Sequence, residues 1–148
     1  MFPLTAQAAS KAKNVRQGNE AFTQQEFEQA VEKYKQALSK DSESDIINFN
    51  LGSALYKQQQ YTDALKHLEK ALLTEDNDLI PKVYYNLGNT NFQIASQLEN
   101  TDLQEAINQL KIAEEYYTKT LDIHSDDADA SYNLELVKKK IKELEQRL

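Results

Sequence analysis

Three stretches decide the fold: Val15-Arg16-Gln17-Gly18-Asn19-Glu20-Ala21-Phe22, Asn50-Leu51-Gly52-Ser53-Ala54-Leu55-Tyr56 and Tyr85-Asn86-Leu87-Gly88-Asn89-Thr90-Asn91-Phe92. Laid over one another they place glycines at 18, 52 and 88, with spacings of 34 and 36 residues. Twelve residues after the first two glycines stand Ala30 and Ala64. Seven further on are Ala37 and Ala71, each followed by a leucine, Leu38 and Leu72. Self-similarity at a period of this length marks a repeat architecture, in which one unit cannot bury its apolar face alone and stacks on the next.

Composition agrees. Ala, Leu, Glu, Lys and Gln dominate the 148 residues, and these are good helix formers. Three glycines and two prolines supply too little turn chemistry for hairpin-rich β architectures. The formal charge of −7 argues against nucleic acid, which needs a basic stripe to displace counterions, and against anionic lipid. There is no cysteine, hence no disulfide and no thiolate metal site. No apolar run is long enough to span a bilayer.

The glycine–alanine pattern resembles that of the tetratricopeptide repeat, over nearly the whole chain. The resemblance implies an all-α, right-handed solenoid of antiparallel helix pairs, A and B. Small residues would sit where A and B cross closely: Gly18, Gly52 and Gly88 on A, Ala30 and Ala64 on B. Ala37 and Ala71 would admit the next helix A. Phe27, Tyr34, Leu51, Tyr61 and Leu68 would fill the gaps. Repeats are expected at about 11–44, 45–78 and 81–127. The usual proline at the end of helix B is absent, so acidic polar loops must stop these helices. Gln25 and Gln59 replace the usual glycine of the A–B turn. Pro81 falls near the start of the third helix A, where a missing N–H costs little.

The third repeat is extended. Tyr132-Asn133-Leu134-Glu135 is in phase with Tyr85-Asn86-Leu87-Gly88, yet Glu135 lies 47 residues beyond Gly88, 13 more than one period. The extra residues fall around 95–107, about two turns on each helix of the pair. The tip is read at Glu99-Asn100-Thr101-Asp102, with Thr101 or Asp102 as N-cap, on a hairpin that protrudes. A C-terminal capping helix follows over about 128–148, with Val137, Ile141, Leu144 and Leu148 along one face. It is expected either to solvate the end of the repeats or to pair with a partner helix.

Residues 1–10 are read as a flexible leader or a signal-peptide remnant, because Ala6-x-Ala8 has the small residues of a cleavage site. Export is one reading and a cytoplasmic location the other.

No catalytic motif occurs, and no cofactor is expected. Metal ligation is not expected either: His67 and His124 fall in different repeats and are read as surface or packing residues. In the resembling family helix A lines a concave groove. Matched positions here are Asn19 and Phe22, then Phe49, Asn50 and Tyr56, then Lys82, Tyr85, Asn86, Asn89 and Phe92, and on the last helix Tyr132 and Asn133. Asparagine amides donate and accept together, so Asn50, Asn86 and Asn133 are read as a ladder for the backbone of an extended peptide. The alternative is that they bond only adjacent helices. Family members that capture a C-terminal carboxylate use Lys, Asn, Asn, Lys and Arg. Asn19, Asn50 and Lys82 match, but Val15 and Asn86 stand where the first Lys and the Arg belong.

The strings Val83-Tyr84-Tyr85-Asn86-Leu87-Gly88-Asn89 and Asp129-Ala130-Ser131-Tyr132-Asn133-Leu134-Glu135-Leu136 are similar to tetratricopeptide proteins of bacterial Bat-type aerotolerance operons. That similarity implies a periplasmic or membrane-attached protein working beside von Willebrand A-domain proteins and a MoxR-type ATPase. The expected function is therefore a non-enzymatic adaptor or scaffold that binds a peptide or partner protein. The competing expectation is homo-oligomerisation through the long hairpin or the last helix.

Overall fold

A computed structural model describes residues 4–148. Seven helices follow in order: α1 (Leu4–Thr23), α2 (Phe27–Leu38), α3 (Asp45–Lys57), α4 (Tyr61–Ala71), α5 (Ile80–Leu98), α6 (Leu103–Ile123) and α7 (Ala128–Glu145). Among the described residues there is no strand. The chain gathers into two compact units, Met1–Thr74 with α1 to α4 and Glu75–Leu148 with α5 to α7.

In the first unit the glycines set how closely helices cross. A Cβ on Gly18 would stand 2.6 Å from Cε1 of Tyr34, and one on Gly52 would stand 2.7 Å from Cγ of Leu68 and 3.1 Å from the Ala64 carbonyl oxygen. Ala21, Ala30, Tyr34, Ala37, Ile47, Leu51, Leu55 and Ala64 form the dry centre, and Val15, Phe22, Leu38 and Tyr56 pack on its edge. Full burial of a large apolar side chain is worth about 1.5–3 kcal/mol, so this layer rather than helix propensity holds the pairs together.

The A–B turns show what the two glutamines do. Gln25 has φ 63° and Gln59 φ 61°, the left-handed region. In the first turn Glu26 N–H donates to the Ala21 carbonyl at 2.8 Å and Gln25 N–H to that of Phe22 at 3.0 Å. Gln60 to Leu55 and Gln59 to Tyr56 repeat the pattern at 3.0 and 2.9 Å. These are the paired bonds of a Schellman motif, which satisfy the last carbonyls of a helix and demand φ > 0 at the residue after the cap. The starts of α3, α6 and α7 are capped by side chains: the Ser44 hydroxyl accepts from Ile47 N–H, Asp102 from Glu105 N–H and Asp127 from Ala130 N–H.

Two expectations change. The leader was placed through residue 10, but α1 begins at Leu4, because Ala6, Ala8 and Ala9 are strong helix formers continuous with the repeat's own helix. Residues 1–3 lie outside the described residues. The long hairpin is also not bare. Helices α5 and α6 have 19 and 21 residues, against 13 and 11 for α3 and α4. Their extensions carry Ala95, Leu98, Leu103, Ile107 and Leu110, and Val137, Ile141 and Leu144 of α7 complete the same cluster. At the tip Lys140 meets the Glu99 carboxylate at 3.1 Å, and Arg147 donates to the Glu99 carbonyl at 3.3 Å. Glu99 holds the Lys140 ammonium above its ordinary pKa through that bond. The apolar stripe of α7 therefore covers its own hairpin.

Candidate functional site

Each unit builds the same three-residue arrangement. In the first, the Tyr34 hydroxyl donates to Asn19 Oδ1 at 2.7 Å, and Asn50 Nδ2 donates to the same oxygen at 3.4 Å. In the second, the Tyr117 hydroxyl donates to Asn89 Oδ1 at 2.6 Å, and Asn133 Nδ2 donates to it at 3.2 Å. Glycine makes this geometry possible. With no Cβ at Gly18 or Gly88, a tyrosine ring from helix B lies flat across helix A; a Cβ on Gly88 would be 2.7 Å from Tyr117 Cε1. The ring then delivers its hydroxyl to the asparagine one residue on. Burial pushes the Tyr34 phenol up to about 12, so it remains a donor throughout the physiological range.

Counting donors and acceptors shows what is left over. Each asparagine oxygen has two lone pairs, and those of Asn19 and Asn89 are both taken by the bonds above. Their amide hydrogens are not used in those bonds. Asn133 Nδ2 spends its second hydrogen on the Tyr85 hydroxyl at 3.2 Å. The carbonyl oxygens of Asn50 and Asn133 complete the set. Each pair thus shows amide donors beside an amide acceptor, the complement of a peptide group.

The other expected residues frame these pairs. Phe22 and Tyr56 pack on the first unit's core with one face, and their rings lie 5.4 Å from those of Phe27 and Tyr61. Phe49 is partly exposed on α3. In the second unit Tyr85 and Phe92 rest on the core, and Tyr85 meets Tyr117 edge-on at 5.9 Å. Lys82 is exposed, Asn86 partly so, and Tyr132 is 70% exposed. Asn50 and Asn133 are linked not to a row of like asparagines but to Asn19 and Asn89, one position set lower on the preceding helix A. The reason is reach: the tyrosine hydroxyl fixes the oxygen to which the neighbouring amide must donate.

Sequence reasoning took Tyr34 as filler and gave neither it nor Tyr117 a part in supporting an asparagine. A signal was present. Tyr34 lies 16 residues after Gly18, and Tyr117 lies 16 after Gly88 once the 13 extra residues are discounted, each time with asparagine following the glycine. The middle repeat has Leu68 and Ser53 at those places, so the arrangement occurs once in each unit.

His67 has a structural task. Its Nδ1 is 2.9 Å from Asn48 Oδ1, while Asn48 Nδ2 donates to the Ser44 and Ser42 carbonyls at 2.9 and 3.3 Å. The buried Asn48 therefore ties α4 to the start of α3. Burial lowers the His67 pKa, assisted by Lys70 and Lys35. Among the described residues no group of three or more His, Cys, Asp or Glu converges as a metal site, and no helix is long and apolar enough to cross a membrane.

Residues 15–80 match the tetratricopeptide-repeat family model. The same fold extends over the rest of the chain. The first tetratricopeptide domain of Spaghetti (RPAP3), solved with the HSP90 peptide SRMEEVD, superposes with a TM-score of 0.74 at 17% identity, covering 90% of this chain and 94% of that domain. The Sgt2 domain from Aspergillus fumigatus gives 0.73 at 25% identity, covering 92% and 82%. In sequence, the Dictyostelium discoideum STIP1 homolog is 35% identical over 77 residues, 49% of this chain. The chain spans only 14% of that protein's length, and 13% of human tetratricopeptide repeat protein 12.

Proposed function

We propose that this chain is a protein-interaction module that holds an extended peptide of a partner protein against the helix-A side of its repeats. The carrying observation is the amide pair, Asn19–Asn50 in one unit and Asn89–Asn133 in the other, oriented by a tyrosine hydroxyl so that donors and an acceptor are offered together. The reading is supported by the similar domains, two of which were solved with HSP90 and HSP70 peptides. Val15 and Asn86 remove two cations of the terminal-carboxylate pattern, so backbone recognition carries more of the affinity here. The competing self-assembly reading relied on the long hairpin and the α7 stripe, and these pack on each other.

The test begins with a pull-down from the source organism and a peptide mapped from the captured partner. A net hydrogen bond is worth about 0.5–1.5 kcal/mol, so Asn19→Ala with Asn50→Ala should weaken binding roughly tenfold or more in titration calorimetry. Equal affinity of parent and double variant would overturn the reading. The proposed setting is a bacterial envelope complex, on the strength of the Val83–Asn89 and Asp129–Leu136 strings. Fractionation that recovers the chain with cytoplasmic markers removes that setting and leaves peptide binding untouched.

A further inference from the structure

The second unit carries more than an amide pair. Around Asn89 and Asn133 lie Tyr132, 70% exposed, and Leu136, 39% exposed, an apolar surface that no residue of this unit covers as it does Val137 and Ile141. The chain is acidic overall, yet the cations on this side are unspent. Lys111, Lys119, Lys138 and Lys140 of the same unit each have a carboxylate partner within 3.2 Å. Among the described residues no ion pair engages Lys82 or Lys139. Both fall on the helix-A stripe: Lys82, Tyr85 and Asn89 recur at helical spacing on α5, and Tyr132, Leu136 and Lys139 on α7. Two acids continue that stripe on α7: Glu143, one turn beyond Lys139, whose carboxylate is paired with Lys140 at 3.4 Å, and Asp129 in the first turn, where the helix N-terminus offsets its charge.

The helix directions fix where the two lysines stand. Gly88 meets Tyr117 and Leu98 lies near Leu103, so α5 and α6 are antiparallel. Lys111 pairs with Glu145, so α6 and α7 are antiparallel as well, and α5 and α7 run the same way. Lys82 then precedes the amide pair and Lys139 follows it. At about 1.5 Å rise per residue each is roughly 9–11 Å from the pair along the axis. An extended peptide covers that distance in about three residues.

We propose that this face is a docking site for an internal, acidic segment of a partner protein, with an apolar side chain at its centre and an acid about three residues to either side. The amide pair takes the central peptide group, Tyr132 and Leu136 take the apolar side chain, and Lys82 and Lys139 take the flanking carboxylates. No free C-terminus is required, because the cations lie at the two ends and not together. This rests on the peptide-binding reading and adds the class of partner for one unit.

The probe is a synthetic heptapeptide, acetylated and amidated, of sequence Glu-Gly-Ser-Leu-Ser-Gly-Glu, carrying a fluorophore and titrated with the full-length chain. Saturable binding is expected. Replacing both glutamates by lysine should abolish it, and Lys82→Glu with Lys139→Glu should weaken it at least tenfold. Asn133→Ala should weaken it severalfold, whereas Lys66→Glu, an exposed charge reversal on α4, should leave it unchanged. Tyr117→Phe, which keeps the ring and removes the hydroxyl, should weaken it under conditions where circular dichroism shows the variant fully folded. Binding that is indifferent to the two lysines, or lost on changing Lys66 alone, would overturn the proposal. So would no binding at about 1 mM, a Kd ceiling near −4 kcal/mol. That last result would still leave standing any affinity of the first unit for the captured partner's peptide.

Discussion

Gly88→Ala is the sharpest test of how the amide pair is built. In an ordinary exposed helix interior this change stabilises by about 1 kcal/mol, because alanine has the better propensity. Here the new methyl would stand 2.7 Å from Cε1 and 2.9 Å from Cδ1 of Tyr117, inside any tolerable contact. The ring cannot slide away cheaply. It is buried, and its hydroxyl is anchored to Asn89 at 2.6 Å. Overpacking of this kind costs about 1–3 kcal/mol, and losing the hydroxyl bond costs about 0.5–1.5 kcal/mol more. Set against the propensity gain, the expected net loss is about 0.5–3.5 kcal/mol. Urea unfolding followed by circular dichroism measures it. The cycle is closed with Tyr117→Ala, which itself costs about 3–5 kcal/mol and so is run in a stabilising osmolyte. In that background nothing opposes the methyl, and Gly88→Ala should become stabilising. A destabilisation of the same size in both backgrounds would refute the idea that the tyrosine ring is what the glycine serves.

Two further outcomes follow from the turns and from His67. Gln25→Gly and Gln59→Gly should each raise stability by about 0.5–1 kcal/mol, since the left-handed conformation costs an L-residue about 1–2 kcal/mol and glycine returns part of that as chain entropy; thermal melts of the single and double variants check this. The His67 pKa is lowered by burial, so the unfolded chain binds that proton more readily. Its stabilising contribution is therefore complete above about pH 6.5 and is lost as pH falls through the depressed folded value. Urea midpoints of the parent should drop between pH 7 and pH 5.5 more than those of His67→Gln, and parallel lines would show that the histidine is not the group concerned.

The helices and the repeat period were legible because both depend on spacing. Gly18, Gly52 and Gly88 sit where close crossing forbids a Cβ, and a 34-residue period survives any choice of surface residue. The extended hairpin was legible as a broken period, and of its two candidate N-caps, Thr101 and Asp102, the second is the one that caps α6. The cover that α7 gives it was not. An apolar stripe on a last helix reads alike whether it meets its own hairpin or a partner, and only length matching in space decides. The start of α1 was missed for the opposite reason: small alanines satisfy both a cleavage-site pattern and a helix. At the site the residue types were legible and the bonds were not. Asparagine advertises donors and acceptors, but the oxygen it presents depends on a tyrosine 15 residues away in one unit and 28 in the other.

That dependence has a consequence for how such a chain can vary. The tyrosine ring requires the glycine, and its hydroxyl orients the following asparagine, so packing and amide orientation share one side chain. Where leucine replaces the tyrosine, as at Leu68, the glycine is still needed: a Cβ at Gly52 would meet Leu68 Cγ at 2.7 Å and the Ala64 carbonyl at 3.1 Å. No hydroxyl is then available, and the next residue is Ser53, whose hydroxyl donates back to the Phe49 carbonyl of its own helix at 2.8 Å. The fold therefore needs the small residue in every repeat, while an oriented amide needs the tyrosine as well. Glycine marks the architecture, and glycine followed by asparagine with a tyrosine in register marks the positions where an amide is oriented. By that criterion this chain has two such positions, Asn19 and Asn89, one in each compact unit.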